Sequence, residues 1–209
     1  MRIVSIFSIN LNNMSKWQVS PMRIIDIREY AMRIRGILGY KDTDFIHAPK
    51  LFDRLAILFA DQGLEFDYKI LPDNDGIFAN KEEAYTDLLT GTIYIKESVM
   101  EEACRRSFKR GTFTLIHELG HFLLHYLQSE AKLTRVPDDT VVPVFCNPEW
   151  QADTFASEFL MPYEACLFLT IEEIRKQYHV SRQAAEVRFN KINGNESKAL
   201  SIQNYFIID

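Results

Sequence analysis

The pentapeptide His117-Glu118-Leu119-Gly120-His121 constrains this chain more than any other feature of its sequence. Two histidines four apart on a helix project from one face, one turn apart, and can bind a single zinc ion. A glutamate beside the first histidine is then placed to take a proton from an attacking water. The pattern asks for three things at once: a helix at this position, a second element that supplies a further ligand, and the chemistry of metal-assisted peptide-bond hydrolysis.

The surroundings suit such a helix, which the sequence predicts over roughly 107–128. Ile116, Leu123 and Leu127 give it an apolar face, and Gly120 permits close approach on its inner side. Two histidines do not complete a catalytic zinc site, which usually has three protein ligands and an open position. The pattern with a third histidine six residues past the second needs a glycine at position 124 and a histidine at position 127. The chain has Leu124 and Leu127 there, so that pattern is excluded. His125 lies one turn beyond His121, too far along a straight helix axis to share the ion comfortably, and reads as a core or ligand-supporting histidine.

The other source of a ligand is the segment 149–162. Asn147 is a plausible cap and Pro148 a plausible first helical residue, and Met161-Pro162 stops the helix. At about 100° per residue, Glu149, Ala152, Asp153, Ala156 and Leu160 share one face, while Glu158 points the opposite way. Two acids among alanines are not a solvated stripe; they face something buried, and the small residues let a neighbouring helix come close. Glu149, also favoured by the helix dipole, is taken as the third ligand. Asp153, one turn on, is taken as the acceptor for the second ring N–H of a ligand histidine. The reverse assignment is chemically available, since either acid can ligate zinc.

The run Phe113-Thr114-Leu115-Ile116-His117-Glu118-Leu119-Gly120-His121-Phe122-Leu123-Leu124-His125, followed by Glu149-Trp150-Gln151-Ala152-Asp153-Thr154-Phe155-Ala156 and Phe159-Leu160-Met161-Pro162, resembles the ImmA/IrrE family of metallopeptidases over roughly residues 60–190. The resemblance implies an intracellular zinc protease with a minimal zincin-like core. It puts zinc on His117, His121 and Glu149 and the catalytic base on Glu118. It also implies a protein substrate. Several members of the family cleave helix-turn-helix repressors and so switch on mobile-element or stress genes; others are encoded beside such a regulator as a toxin–antitoxin-like pair. Phe159 stands where leucine is more usual, and residues 1–60 match no family pattern.

The expected fold class is α+β: a small antiparallel or mixed sheet packed on the motif helix, with further helices at the C-terminus. Helices are predicted over 22–40 and from Pro49 to Gly63, and strands over 64–70, 77–85 and 92–95. Residues 129–147 carry no clear period, and a stretch of that length is often functional. The strand Thr92-Ile93-Tyr94-Ile95 precedes the metal helix. Its edge could pair with an extended substrate, placing Thr92 and Tyr94 at the cleft, or it could be internal with no such role. His125, Tyr94 and Tyr126 are unranked candidates for stabilising an oxyanion. Residues 1–21 read as a leader outside a domain spanning 22–209, with Met14 and Met22 as alternative starts.

At the C-terminus, Thr170-x-x-Glu173 is a capping box and Ser181 caps a last helix expected to close at Asn193-Gly194. The pair resembles a helix-turn-helix. Arg175, Lys176, Arg182, Arg188 and Lys191 stand against Glu172, Glu173 and Glu186, a thin positive excess for DNA binding. The net charge of −5 supplies no general attraction to nucleic acid or anionic lipid. No run approaches the roughly 20 apolar residues of a membrane span. Cys104, Cys146 and Cys166 are odd in number and lack a Cys-x-x-Cys pair, which fits reduced thiols in a cytoplasmic protein; Cys146 reads as a buried thiol. The readings left beside the enzyme are a non-catalytic zinc-containing partner in a toxin–antitoxin-type pair and a DNA-binding regulator.

Overall fold

A computed structural model describes residues 17–78, 82–105, 110–128, 133–137 and 139–205, with side chains as far as 194. In chain order the elements are β1 (Trp17–Gln18), α1 (Ile24–Ile37), α2 (Ala48–Asp61), β2 (Asp67–Leu71), β3 (Ala84–Asp87), β4 (Thr92–Lys96), α3 (Glu97–Cys104), α4 (Arg110–His121), β5 (Thr134–Arg135), α5 (Pro148–Leu160), α6 (Tyr163–Cys166), α7 (Ile171–Gln177) and α8 (Arg182–Tyr205). Short 3-10 turns cover Gly76–Phe78 and Val144–Cys146, and a π-helical turn, Phe122–Tyr126, follows α4 directly. The class is α+β, rich in helix.

The metal helix α4 lies between a sheet and α5. Among the described residues the larger sheet has the order β2-β4-β3, with β2 and β4 parallel and β3 antiparallel to β4. Leu115, Leu119 and Phe122 on one side, Ile93 and Ile95 from β4, and Phe155 and Phe159 from α5 are all fully buried. Burying side chains of this size stabilises by about 1.5–3 kcal/mol each. On its far side α5 packs on α1. Arg35 of α1, also fully buried, donates to Phe159 O at 2.6 Å and to the carbonyls of Lys41 and Asp44. One guanidinium thereby ties the end of α5 to the loop after α1.

The start of α5 is fixed as the sequence indicates. Asn147 Oδ1 accepts from Trp150 N at 3.1 Å, and Pro148 occupies the first turn. The close approach expected at Gly120 is also found: a Cβ there would meet Ala152 Cα and Phe155 Cδ1 at 3.2 Å and Ala152 O at 3.3 Å. The Thr170–Glu173 capping box forms on α7.

Several boundaries differ from expectation. The strand expected over 77–85 is a 3-10 turn followed by β3 at Ala84–Asp87; residues 79–81 lie outside the described residues. The helix expected over 107–128 is α-helical only to His121, where the π turn replaces it; residues 106–109 lie outside the described residues. The last helix does not close at Gly194: α8 runs on to Tyr205, since a helical glycine costs about 1 kcal/mol but does not by itself end a helix. The leader boundary also moves. Residues 1–16 lie outside the described residues, but Trp17 and Gln18 pair with Arg135 and Thr134, and Val19 is buried. Residues 17–21 therefore belong to the fold.

Among the described residues no helix is long and apolar enough to cross a membrane.

Candidate metal centre

α4 and α5 bring three side chains together. His117 Nε2 and His121 Nε2 are 3.0 Å apart; Glu149 Oε2 is 3.3 Å from the first and Glu149 Oε1 3.4 Å from the second. Donors around a tetrahedral ion bonded at 2.0–2.1 Å stand roughly 3.3–3.4 Å from one another. The two spacings to Glu149 match this and the histidine pair stands 3.0 Å apart, slightly closer, and among the described residues His117, His121 and Glu149 form the group able to hold an ion of that size.

The other ring nitrogens are engaged in a way that leaves these lone pairs free. His117 Nδ1 lies 2.8 Å from Asp153 Oδ1; a carboxylate only accepts, so Nδ1 carries a hydrogen, and in the neutral ring Nε2 is the nitrogen that keeps its lone pair. His121 Nδ1 lies 3.0 Å from His125 Nδ1, and His125 Nε2 lies 3.1 Å from Gln151 Oε1. The π turn, with Leu127 N donating to Phe122 O, carries His125 into this position. His125 thus supports a donor side chain. With both its nitrogens occupied, it has no N–H left for a substrate oxyanion.

The electrostatics ask for a cation. Burial pushes the His117 imidazolium down, but its bonds to Asp153 and Glu149 and the Glu118 charge more than reverse this, holding its pKa at about 10. Burial pushes Glu149 up, yet His117 and His121 keep it well below the usual carboxylate range. His125, buried and beside His121, is pushed down to about 3. Three carboxylates gathered at two imidazoles call for positive charge, which a proton on His117 or a divalent ion can supply.

Glu118 is itself buried, and its Oε2 accepts from Thr86 Oγ1 of β3 at 2.8 Å; the same hydroxyl is 3.0 Å from Glu118 O. One hydroxyl proton serves both, and the charged oxygen is the stronger acceptor. Thr86 was not legible as a site residue, because a buried threonine in a strand carries no spacing signal.

The pairing role expected of the strand bearing Thr92 and Tyr94 does not hold. β4 is the central strand, bonded to β2 on one side and β3 on the other, so neither edge can take a substrate. Thr92 is buried, its hydroxyl 3.4 Å from Asp67, and Tyr94 stacks on Tyr85 with centroids 5.0 Å apart. Tyr126 stacks on Phe122 and lies so close to Gly91 that a Cβ there would overlap its ring.

Glu158, on the opposite face of α5 as its position requires, is buried in a fork of two guanidiniums. Arg188 binds it at 2.7 and 2.8 Å and Arg28 at 3.1 Å. The basic residues of α7 and α8 are largely used within the chain: Arg188 on Glu158, Arg175 on Glu172 and Arg182 on Glu186.

A protein-family model, Peptidase_M78, described as the IrrE N-terminal-like domain, matches residues 65–190. That span covers more than half of the chain and includes every donor described above, and the chain belongs to this metallopeptidase family. Compared with curated proteins, the chain finds no match.

Proposed function

We propose that this IrrE N-terminal-like peptidase is a zinc-dependent endopeptidase, with His117, His121 and Glu149 as metal ligands and Glu118 as catalytic base. The observation that carries the reading is the convergence of two imidazole nitrogens and a carboxylate at 3.0–3.4 Å, with the glutamate beside His117 in sequence taking no part in the cluster of donors. A structural site needs no such base and is usually closed by four protein ligands.

Zinc held there would supply Lewis-acid polarisation of the scissile carbonyl and a water acidified toward neutrality. The chain's own residues do the rest. Glu118 accepts the proton of the attacking water and passes it to the leaving amine. Thr86 holds the Glu118 carboxylate by its hydroxyl, so the base is aimed before substrate arrives. Asp153 fixes the ring of His117, and its acceptance of the Nδ1 hydrogen raises the basicity of Nε2.

A groove of about 490 Å³ begins at Asp153 and is walled by Phe113, Leu160, Met161, Val180, Ala184 and Val187. The groove shares only Asp153 with the site, and its apolar wall suits a substrate side chain some way along from the cleaved bond. The substrate is a regulatory protein, a helix-turn-helix repressor or antitoxin encoded nearby. What supports this is the resemblance of the two helix motifs, together with the use of the chain's own basic residues in internal ion pairs, which leaves little for DNA. The three cysteines are free thiols, in keeping with a cytoplasmic setting.

The test incubates the zinc-loaded chain, and its Glu118→Gln variant, with the regulator encoded by the neighbouring gene and with casein. Cleavage at a few internal bonds of the regulator by the native chain alone, with zinc retained by the variant, is expected. An intact regulator beside cleaved casein would remove the substrate assignment; both intact would remove the endopeptidase.

A further inference from the structure

A continuous line of hydrogen bonds runs from His121 out of the region matched to the family. His121 Nδ1 meets His125 Nδ1 at 3.0 Å, and His125 Nε2 meets Gln151 Oε1 at 3.1 Å. Gln151 Nε2 donates to Phe145 O at 2.8 Å and to Ser20 O at 2.9 Å. Gln151 is 1% exposed, so its amide is shielded from bulk solvent.

The two carbonyls fix the direction of every proton in the line. Only the NH₂ of Gln151 can serve carbonyl oxygens, so its Oε1 must face His125. Oε1 only accepts, so His125 carries its hydrogen on Nε2. A neutral ring has one such hydrogen, so His125 Nδ1 is bare and accepts from His121 Nδ1–H. His121 Nε2 is then left with its lone pair directed at His117 Nε2 and Glu149. A flipped amide would reverse each step and put the hydrogen on His121 Nε2, where it blocks a metal.

Ser20 is held for this purpose by its neighbours. Val19 N donates to Cys146 O and Met22 N to Phe145 O, both at 3.0 Å, and β1 pairs with β5 just before them. The stretch 17–22 and the turn 144–146 thus form one clasp around the Gln151 amide.

We infer that Gln151 is a positioning residue of the metal centre and that residues 17–22, outside the span 65–190, brace it by setting the ring orientation of His121. The inference rests on His121 being a metal ligand. Outer hydrogen-bond partners of this kind are typically worth 10- to 100-fold in metal affinity.

The test measures zinc affinity by chelator competition for the full chain, for Gln151→Met, for a chain beginning at Met22, and for the two changes combined. Each single change is expected to weaken zinc binding about 10- to 100-fold. The combination is expected to weaken it little further, because both act through one amide. Ring-nitrogen NMR reads the tautomer directly: the metal-free native chain is expected to hold its hydrogen on His121 Nδ1, and Gln151→Met to show a mixture. Native-like affinity in both single variants, or an unchanged tautomer in Gln151→Met, overturns the inference. If a variant does not fold, the native tautomer decides alone, and a hydrogen found on His121 Nε2 refutes it. His121→Ala separates the premise: undiminished zinc binding there removes the ligand assignment itself.

Discussion

Replacing Gly120 with alanine tests whether the donor set depends on the tight packing of α4 on α5. The added Cβ would stand 3.2 Å from Ala152 Cα and Phe155 Cδ1 and 3.3 Å from Ala152 O. Two of these atoms are backbone, so no rotamer change relieves them; α5 itself has to retreat by a few tenths of an ångström. α5 carries Glu149 and Asp153, which face His117 and His121 at 2.8–3.4 Å. The effect on stability is a difference of two terms. A glycine-to-alanine change inside a helix gains about 1 kcal/mol, and overpacking a core costs about 1–3 kcal/mol. The net loss is roughly 0–2 kcal/mol, which at about 2–4 °C per kcal/mol for a chain of this size lowers Tm by at most about 8 °C. The metal effect is larger in proportion. Metal–donor distances tolerate only about ±0.2 Å, so the expected loss of zinc affinity is at least about tenfold. Thermal denaturation in chelator reads the first quantity, and competition titration the second. Gly36, exposed in the last turn of α1 with nothing within 4 Å of an added Cβ, is the control: Gly36→Ala should leave zinc affinity unchanged. A Gly120→Ala protein with native zinc affinity and a raised Tm would refute the reasoning.

Glu158→Gln leaves the buried Arg188 and the half-buried Arg28 without their counter-charge and should cost about 3–5 kcal/mol in urea denaturation. The pH dependence has a defined sign. Arg188 and Arg28 overcome the effect of burial and hold Glu158 below its ordinary 4.5, so its contribution is full above that value and is lost as pH falls through the lower folded value. The native chain should lose stability on acidification below about pH 4.5 more steeply than Glu158→Gln does. Thr86→Val removes the hydroxyl from Glu118; a hydrogen bond to a charged group is worth about 1.5–3 kcal/mol, so kcat should fall roughly 10- to 100-fold with KM and zinc content unchanged, and Thr86→Ser should restore most of the loss. Removing zinc with chelator should lower Tm and readdition restore it. At free zinc about 100 times Kd the stabilisation is about 2.7 kcal/mol, or roughly 5–11 °C. A Tm indifferent to zinc would count against the donor set.

Much of the fold could be read where local chemistry is decisive. Gly63 ends α2 with a φ of +67°, and the Asn147-Pro148 cap and Met161-Pro162 stop delimit α5 as expected. The sequence misleads where burial removes the pattern or an element is too short to have one. All four residues of β3 are buried, so it lacks the alternation that marks a half-buried strand. α3 is eight residues long and carries no sustained period. β1 and β5 pair two residues each across most of the chain, a contact that no local signal announces.

The same division explains the site. His117, His121, Glu149 and Asp153 follow from a 100° step along two regular helices, and the structure brings these four together as that step requires. Gln151 lies two residues past Glu149, some 200° round α5, so helical reasoning turns it away from the metal. It reaches the site only because the π turn after His121 swings His125 toward it. Glu158 is turned away too, but toward Arg28 and Arg188. α5 therefore presents polar groups on two opposite faces: the donor pair toward α4 and, two turns apart on the other side, Gln151 toward the clasp of 17–22 and 144–146 and Glu158 toward α1 and α8. All three contacts anchor the helix that carries Glu149. Loosening any of the three should be felt at the donors, and Glu158→Gln should weaken zinc binding although Glu158 points away from the site.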